Sequence, residues 1–340
     1  MTRAWERQEL DLKILESLYD VKALIGRTVV KIYTSGNEQR GYDRLHALKK
    51  RGLVEGIPYC EVKGNGRKEN LPGKRKKRAT LYYLTADGVR VAKKLKKLEI
   101  DGAERSMRPE EEQLIPLYFA SLLAENIPLK FYNAKEFKLK NRIPNFVTLD
   151  LICGDWLIII EREQNNAYRR NLCKQVKGLR ENPACGNILI LCHSELKRTV
   201  SIQTWKKEYG PTAHFMVKDN YNGIYRLLSG NTTAEIIKTI EQNKGPVQML
   251  TLPVEGFTHI INGKRSVIID LIGFPVRSMR HLSGVITPNH NPHIGVESVD
   301  DLKAIVRCFP EILRPGFEFF TLDGVTGTSE AISRLYSRKE

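Results

Sequence analysis

Residues 35–84 constrain this chain more than any other stretch, because they prescribe a helix, a strand, a basic tip and a second strand in that order. Ser35-Gly36-Asn37-Glu38 fits the S-x-x-E capping box, in which a hydroxyl and a carboxylate satisfy the free amides of a helix start. Tyr42, Leu45 and Leu48, with Ala47, then recur at helical spacing and predict one apolar face. Gln39, Arg40, Asp43, Arg44, Lys49 and Lys50 occupy the other. Gly52 is expected to end the helix after Lys49-Lys50-Arg51, the charge sign that a helix C-terminus favours. Residues 53–62 and 79–84 read as partner strands. Positions 63–78 between them carry eight Lys or Arg against the single Glu69.

That order is the order of a winged helix-turn-helix. The helix would enter the major groove of double-stranded DNA, and the basic loop would lie on a phosphate backbone. Gln39, Arg40 and Arg44 are the expected base readers, since Arg suits guanine and Gln suits adenine. Lys49 and Lys50 flank them. Arg67, Lys68, Lys74, Arg75, Lys76, Lys77 and Arg78 are the expected phosphate contacts. A solvated hairpin tip would explain the charge run alone, but not the capped and one-sidedly charged helix before it.

Charge distribution agrees. The net charge of +16 is uneven: residues 1–105 hold 25 Lys and Arg against 14 Asp and Glu, a net of +11. A basic first third points to a polyanion contacted mainly there. No run of about eighteen apolar residues exists, so no membrane span is expected. The charged start, residues 1–11, has no apolar signal core, and a cytoplasmic location is expected. The six cysteines form no C-x-x-C and no zinc-finger spacing with His, and they read as reduced thiols.

Around the central stretch, residues 9–19 and 24–33 read as helices, the second with a β-branched run at Val29, Val30 and Ile32. A helix through Lys97 follows Thr85-Ala86-Asp87-Gly88, and its apolar side would pack on the domain or on a second copy, so a homodimer is one expectation. From 110 the pattern changes: a helix over 110–125, strands at 130–138, 145–152 and 156–161, a helix over 166–180 and a buried strand at 188–192. Helical segments at 235–242 and 299–308 and a strand at 266–272 come later. The predicted fold class is therefore α+β or α/β. The predicted domains are a winged helix-turn-helix (1–100), a linker (101–109), an α/β domain (110–245) and an α/β extension (246–340).

The order from 110, with Pro144-Asn145, then Glu161-Arg162-Glu163 at a strand end and a Lys- and Gln-bearing helix, resembles the PD-(D/E)XK restriction-endonuclease-like core, α-β-β-β-α-β. The resemblance implies Mg²⁺ held by hard oxygen ligands, generating a nucleophile and stabilising charge on a phosphate. The positions it maps are Asn145, Glu161 and Glu163, with Glu111 or Glu112 on the preceding helix and Lys174 or Gln175 on the following one. Glu161 and Glu163 would be the metal ligands. Asn145 stands where that family has a metal-binding Asp, and Glu163 where Lys is usual. Asp150 lies on the same predicted strand as Asn145 but five residues on, which an ideal pleat places on the opposite face. A neutral amide is a weak Mg²⁺ ligand, so DNA binding is expected rather than cleavage.

Over residues 8 to about 200, the combination resembles the replication–relaxation family of plasmids and mobile elements. The matching residues are Arg44-Leu45, Leu48, Gly52-Leu53-Val54, Leu84-Thr85, Gly88, Arg142-Ile143-Pro144-Asn145, Glu161-Arg162-Glu163 and Lys174. The resemblance implies a DNA-binding protein of a plasmid, phage or mobile element that acts in replication or its control, alongside replication or relaxation proteins. A Mg²⁺-dependent endonuclease targeted by the winged helix, and a transcriptional repressor, are the alternatives. His290-Asn291-Pro292-His293 has H-x-x-H spacing, but Pro292 argues against a helix presenting both rings to one metal.

Overall fold

The computed structural model describes residues 3–34, 37–60, 78–100, 102–162, 165–182, 185–254, 257–273, 275, 292–310 and 317–322. It is of mixed α+β class and divides into two compact units, one of residues 1–137 with 150–152 and one of 138–149 with 153–340.

The first unit opens with α1 (Arg3–Val21), β1 (Ala23–Ile25) and α2 (Gly26–Tyr33), then α3 (Glu38–Lys50), β2 (Val54–Cys60), β3 (Arg78–Leu84) and α4 (Ala86–Leu95). The three strands form an antiparallel sheet in the order β1-β3-β2, with Ala23 opposite Tyr83 and Val54 opposite Leu84. Residues 23–25 are a strand where a longer helix was expected. The run Ala-Leu-Ile is wholly buried, and the helix begins only at Gly26. Ile14, Leu15, Leu18, Val29, Leu45, Leu48, Val54, Leu81 and Leu84 are buried and form the core.

Two close approaches fix this packing. A Cβ on Gly41 would sit 2.5 Å from Val30 Cγ2, so α3 crosses α2 nearer than any other residue would allow. A Cβ on Gly88 would lie 2.0 Å from the Leu53 carbonyl oxygen. The end of α3 is a Schellman turn: Gly52 takes a left-handed φ of 69°, its N–H donates to Lys49 O, and Leu53 N–H donates to Leu48 O. Thr85 Oγ1 accepts from Gly88 N–H and donates to Gly52 O at 2.6 Å, joining the α4 start to the α3 end.

The unit continues past the sequence-derived linker. After a 3₁₀ turn (Glu111–Gln113), α5 (Leu114–Asn126) binds β1 and α2: Ile25 N–H donates to Ser121 Oγ at 3.2 Å, and Thr28 Oγ1 to Glu125 at 2.9 Å. The boundary expected at 110 therefore falls inside a compact unit. The strand expected at 130–138 is only β4 (Tyr132–Asn133), followed by α6 (Ala134–Lys140). Asn133 Oδ1 accepts from Lys135 N–H, and this cap together with strong helix formers favours the helix. Of the strand expected at 145–152, only β5 (Leu151–Cys153) forms, paired antiparallel to β4.

In the second unit, β6 (Trp156–Ile160), α7 (Asn166–Arg180), β7 (Asn187–Cys192), α8 (Glu195–Lys207) and β8 (His214–Val217) make parallel strand pairs β6–β7 and β7–β8. Then come α9 (Tyr221–Ser229), α10 (Thr232–Lys244), β9 (Val247–Val254), β10 (Phe257–Ile261), β11 (Lys264–Asp270), β12 (Pro292–Val296), α11 (Val299–Cys308) and β13 (Glu318–Thr321). The last five strands form one sheet, in the order β13-β12-β11-β10-β9. Its β9-β10-β11 part is antiparallel and its β11-β12-β13 part parallel. Arg198 of α8 donates to Asp301 of α11 at 2.5 Å, and both side chains are buried. That bond crosses the boundary expected at 245, and the segment after 245 belongs to the same unit.

Ala at position 88 cannot relieve its contact, because the obstacle is backbone. We expect Gly88→Ala to cost about 3 kcal/mol, the upper range of overpacking, and Gly52→Ala about 1 kcal/mol for its left-handed φ. Urea unfolding followed by circular dichroism checks the order, and equal costs would contradict it.

Candidate nucleic-acid interface

Helix α3 starts from Asn37, whose Oδ1 accepts from Arg40 N–H at 3.0 Å. The cap is therefore Asn37, not the expected Ser35, which lies outside the described residues. Gly41, Leu45 and Leu48 point inward. At about 100° per residue, the stripe opposite them is Gln39, Asp43, His46 and Lys50, and all four are exposed. Gln39 Nε2 donates to Asp43 Oδ1 at 2.7 Å, which orients both polar ends along the stripe. Arg40 and Lys49 lie on its two shoulders and are exposed as well.

Two residues differ from their expected roles. Tyr42, expected inward, is 42% exposed. Its ring reaches over Gly26, where an added Cβ would meet the rings of Tyr42 and Tyr82, both at 2.9 Å. Arg44, expected to read bases, instead holds α1: its Nε and Nη2 donate to the two oxygens of Asp11 at 2.8 and 2.7 Å. Asp11 is 4% exposed and also accepts from Arg51 at 3.3 Å. A guanidinium fork bound to a buried carboxylate is a structural tie between helices. His46 was missed as a candidate because no spacing rule singles out one exposed imidazole.

Strands β2 and β3 form the hairpin expected beside α3, in register from Val54–Leu84 to Cys60–Arg78. Arg67, Lys68, Lys74, Arg75, Lys76 and Lys77 lie outside the described residues, and of Arg78 only the backbone is described.

The described members of the second group of candidates stand in different local settings. Glu111 is exposed in the 3₁₀ turn of the first unit. Asn145 is exposed in a turn, Lys174 is exposed on α7, and Glu163 lies outside the described residues. Gln175 Oε1 accepts from Thr148 N–H at 2.8 Å. Glu161, just past β6, is 1% exposed. Its Oε1 meets Arg169 Nε of α7 at 2.7 Å and accepts from Ser201 Oγ of α8 at 3.0 Å. Burial pushes the Glu161 carboxyl up, and the Arg169 guanidinium opposes that. The Glu161 carbonyl accepts from His193 Nε2 at 2.8 Å, while Lys218 Nζ lies 3.0 Å from His193 Nδ1, which fixes Nδ1 as the acceptor. Burial, Lys218 and Lys197 lower the His193 pKa, and the hydrogen bond to the Glu161 carbonyl opposes them.

Among the described residues no group of three or more His, Cys, Asp or Glu side chains could hold a metal ion. Glu161 is engaged by a cation of the protein itself, and Asn145 is a neutral amide. Cys153, Cys173, Cys185, Cys192 and Cys308 form no disulfide, and no described helix is long and apolar enough to cross a membrane. No family model, curated protein or solved structure matches the chain.

Glu161 and Arg169 should behave as one buried ion pair. Glu161→Leu or Arg169→Met alone should each cost about 3–5 kcal/mol by stranding the other charge. Together they should cost less than the sum by about 2 kcal/mol. Strictly additive losses in a double-mutant cycle would contradict the pairing.

Proposed function

We propose that residues 3–95 are a winged-helix module that binds double-stranded DNA, with α3 in the major groove and the basic connection 61–77 on a phosphate backbone. What carries the reading is the division of α3. One face is consumed by the core, a flank is tied down by Arg44–Asp11, and the remaining stripe of Gln39, Asp43, His46 and Lys50 is polar, exposed and orderly. The element order α1-β1-α2-α3-β2-β3 with sheet order β1-β3-β2 agrees with it. Gln39 can pair with adenine and Asp43 can accept from the cytosine amine. Lys49, Lys50 and the connection supply phosphate contacts and salt dependence. A role in replication of a plasmid or mobile element, or in its control, is the process that the family resemblance favours. Binding is preferred to cleavage because Glu161 is neutralised by Arg169.

Fluorescence anisotropy on selected duplexes tests the roles. Lys49→Ala with Lys50→Ala should weaken binding to every sequence alike and lower the salt slope by about 2. Gln39→Ala should cost about 1–3 kcal/mol on the preferred site and relax one base position. Arg44→Ala should instead lower stability, by about 3 kcal/mol, with sequence preference unchanged in the folded fraction. A loss of preference in Arg44→Ala, or none in Gln39→Ala, would overturn the assignment.

A further inference from the structure

The loop between α6 and β5 carries a feature that the α3 reading does not use. Phe146 is 76% exposed, and Leu139, at the end of α6, is 64% exposed. A lone exposed apolar residue means little. Here the loop holds the ring out on a braced frame. Ile143 and Val147 are buried on either side as anchors. Ile143 N–H donates to Lys138 O at 2.8 Å, Val147 N–H to Pro144 O at 3.1 Å, and Asn182 Nδ2 to Asn141 O at 3.0 Å. Lys138 Nζ donates to Val147 O at 2.5 Å. Arg142 sits at a left-handed φ of 54°, a conformation that a non-glycine residue keeps only where its surroundings impose it.

Charge indicates the partner. Between 138 and 149 the chain holds Lys138, Lys140 and Arg142 and no acid. Lys140 and Arg142 are exposed. The Gln175–Thr148 bond brings α7 to the end of the loop, next to the exposed Lys174. An aromatic tip on a rigid loop with cations and no carboxylate suits a base step flanked by phosphates. Apolar side chains that wedge between base pairs are a recurrent means of distorting a duplex.

Building on the DNA-binding reading above, we propose that this loop is a second DNA contact, in which Phe146 stacks against a base at a distorted step while Lys140, Arg142 and Lys174 hold the adjoining phosphates. The contact is sequence-tolerant, because every base presents a π-face. It would add affinity and local deformation to the selection made by α3.

The test uses the full chain and duplexes of its preferred site with 2-aminopurine substituted at successive positions. Wild type should raise the emission several-fold at one step. Phe146→Ala should abolish that rise and weaken binding by about tenfold or more, with an unchanged thermal midpoint because the ring is exposed. Phe146→Trp should keep both properties. Lys140→Ala with Arg142→Ala should lower the salt slope by about 2. Wild-type duplex binding with no emission change at any step and unaltered affinity in Phe146→Ala would overturn this proposal and leave the α3 reading standing. Weakened binding in Lys49→Ala/Lys50→Ala with the emission rise retained at saturating protein would separate the two contacts. No duplex binding by wild type even at low salt would overturn both.

Discussion

The buried carboxylate of Asp11 decides how the first unit presents itself. Placed on α1 with almost no contact to water, it needs cations; α3 supplies Arg44 bidentately, and its C-cap Arg51 lies at longer range. A charge that is costly to bury is stable only when paired in good geometry. The pair therefore adds to the buried Leu45 and Leu48 in setting the rotation of α3 about its own axis. Once that rotation is set, Gln39, Asp43, His46 and Lys50 are the side chains left facing outward. The Gly41–Val30 and Gly88–Leu53 approaches complete the frame, holding α3 against α2 and α4 against the turn that ends α3.

Much of this was legible in the chain because it is local. The end of α3 is written in Lys49-Lys50-Arg51-Gly52, and the limits of α7 and α11 follow from periodicity and caps. What the sequence hid was decided over long distances. Arg44 looks like a base reader until Asp11, 33 positions earlier, is seen beneath it. Glu161 looks like a metal ligand until Arg169 and Ser201 close over it. Residues 130–138 read as a strand, yet Asn133 caps 134–140 into a helix. The first unit extends to α5 because Ser121 and Glu125 bond to β1 and α2, which no linker signal near 101–109 reveals.

The second unit uses its charges inwardly. Glu161–Arg169, Arg198–Asp301 and Arg226–Glu297 each join separate elements, and the partners are buried or largely so. Such pairs specify an arrangement more than they stabilise it. Cations left at the surface, such as Lys140, Arg142 and Lys174, are the ones available to a polyanion. The division between charges that build the fold and charges that face outward thus organises both units.

Guanine methylation interference on the bound site is the most direct test of α3 as the reading element, because N7 methylation blocks the major groove. The account predicts discrete interfering guanines within a protected patch, because a methyl group at N7 occupies the groove that α3 enters. Protection without interference at any guanine N7, on a site that contains guanines, would contradict it.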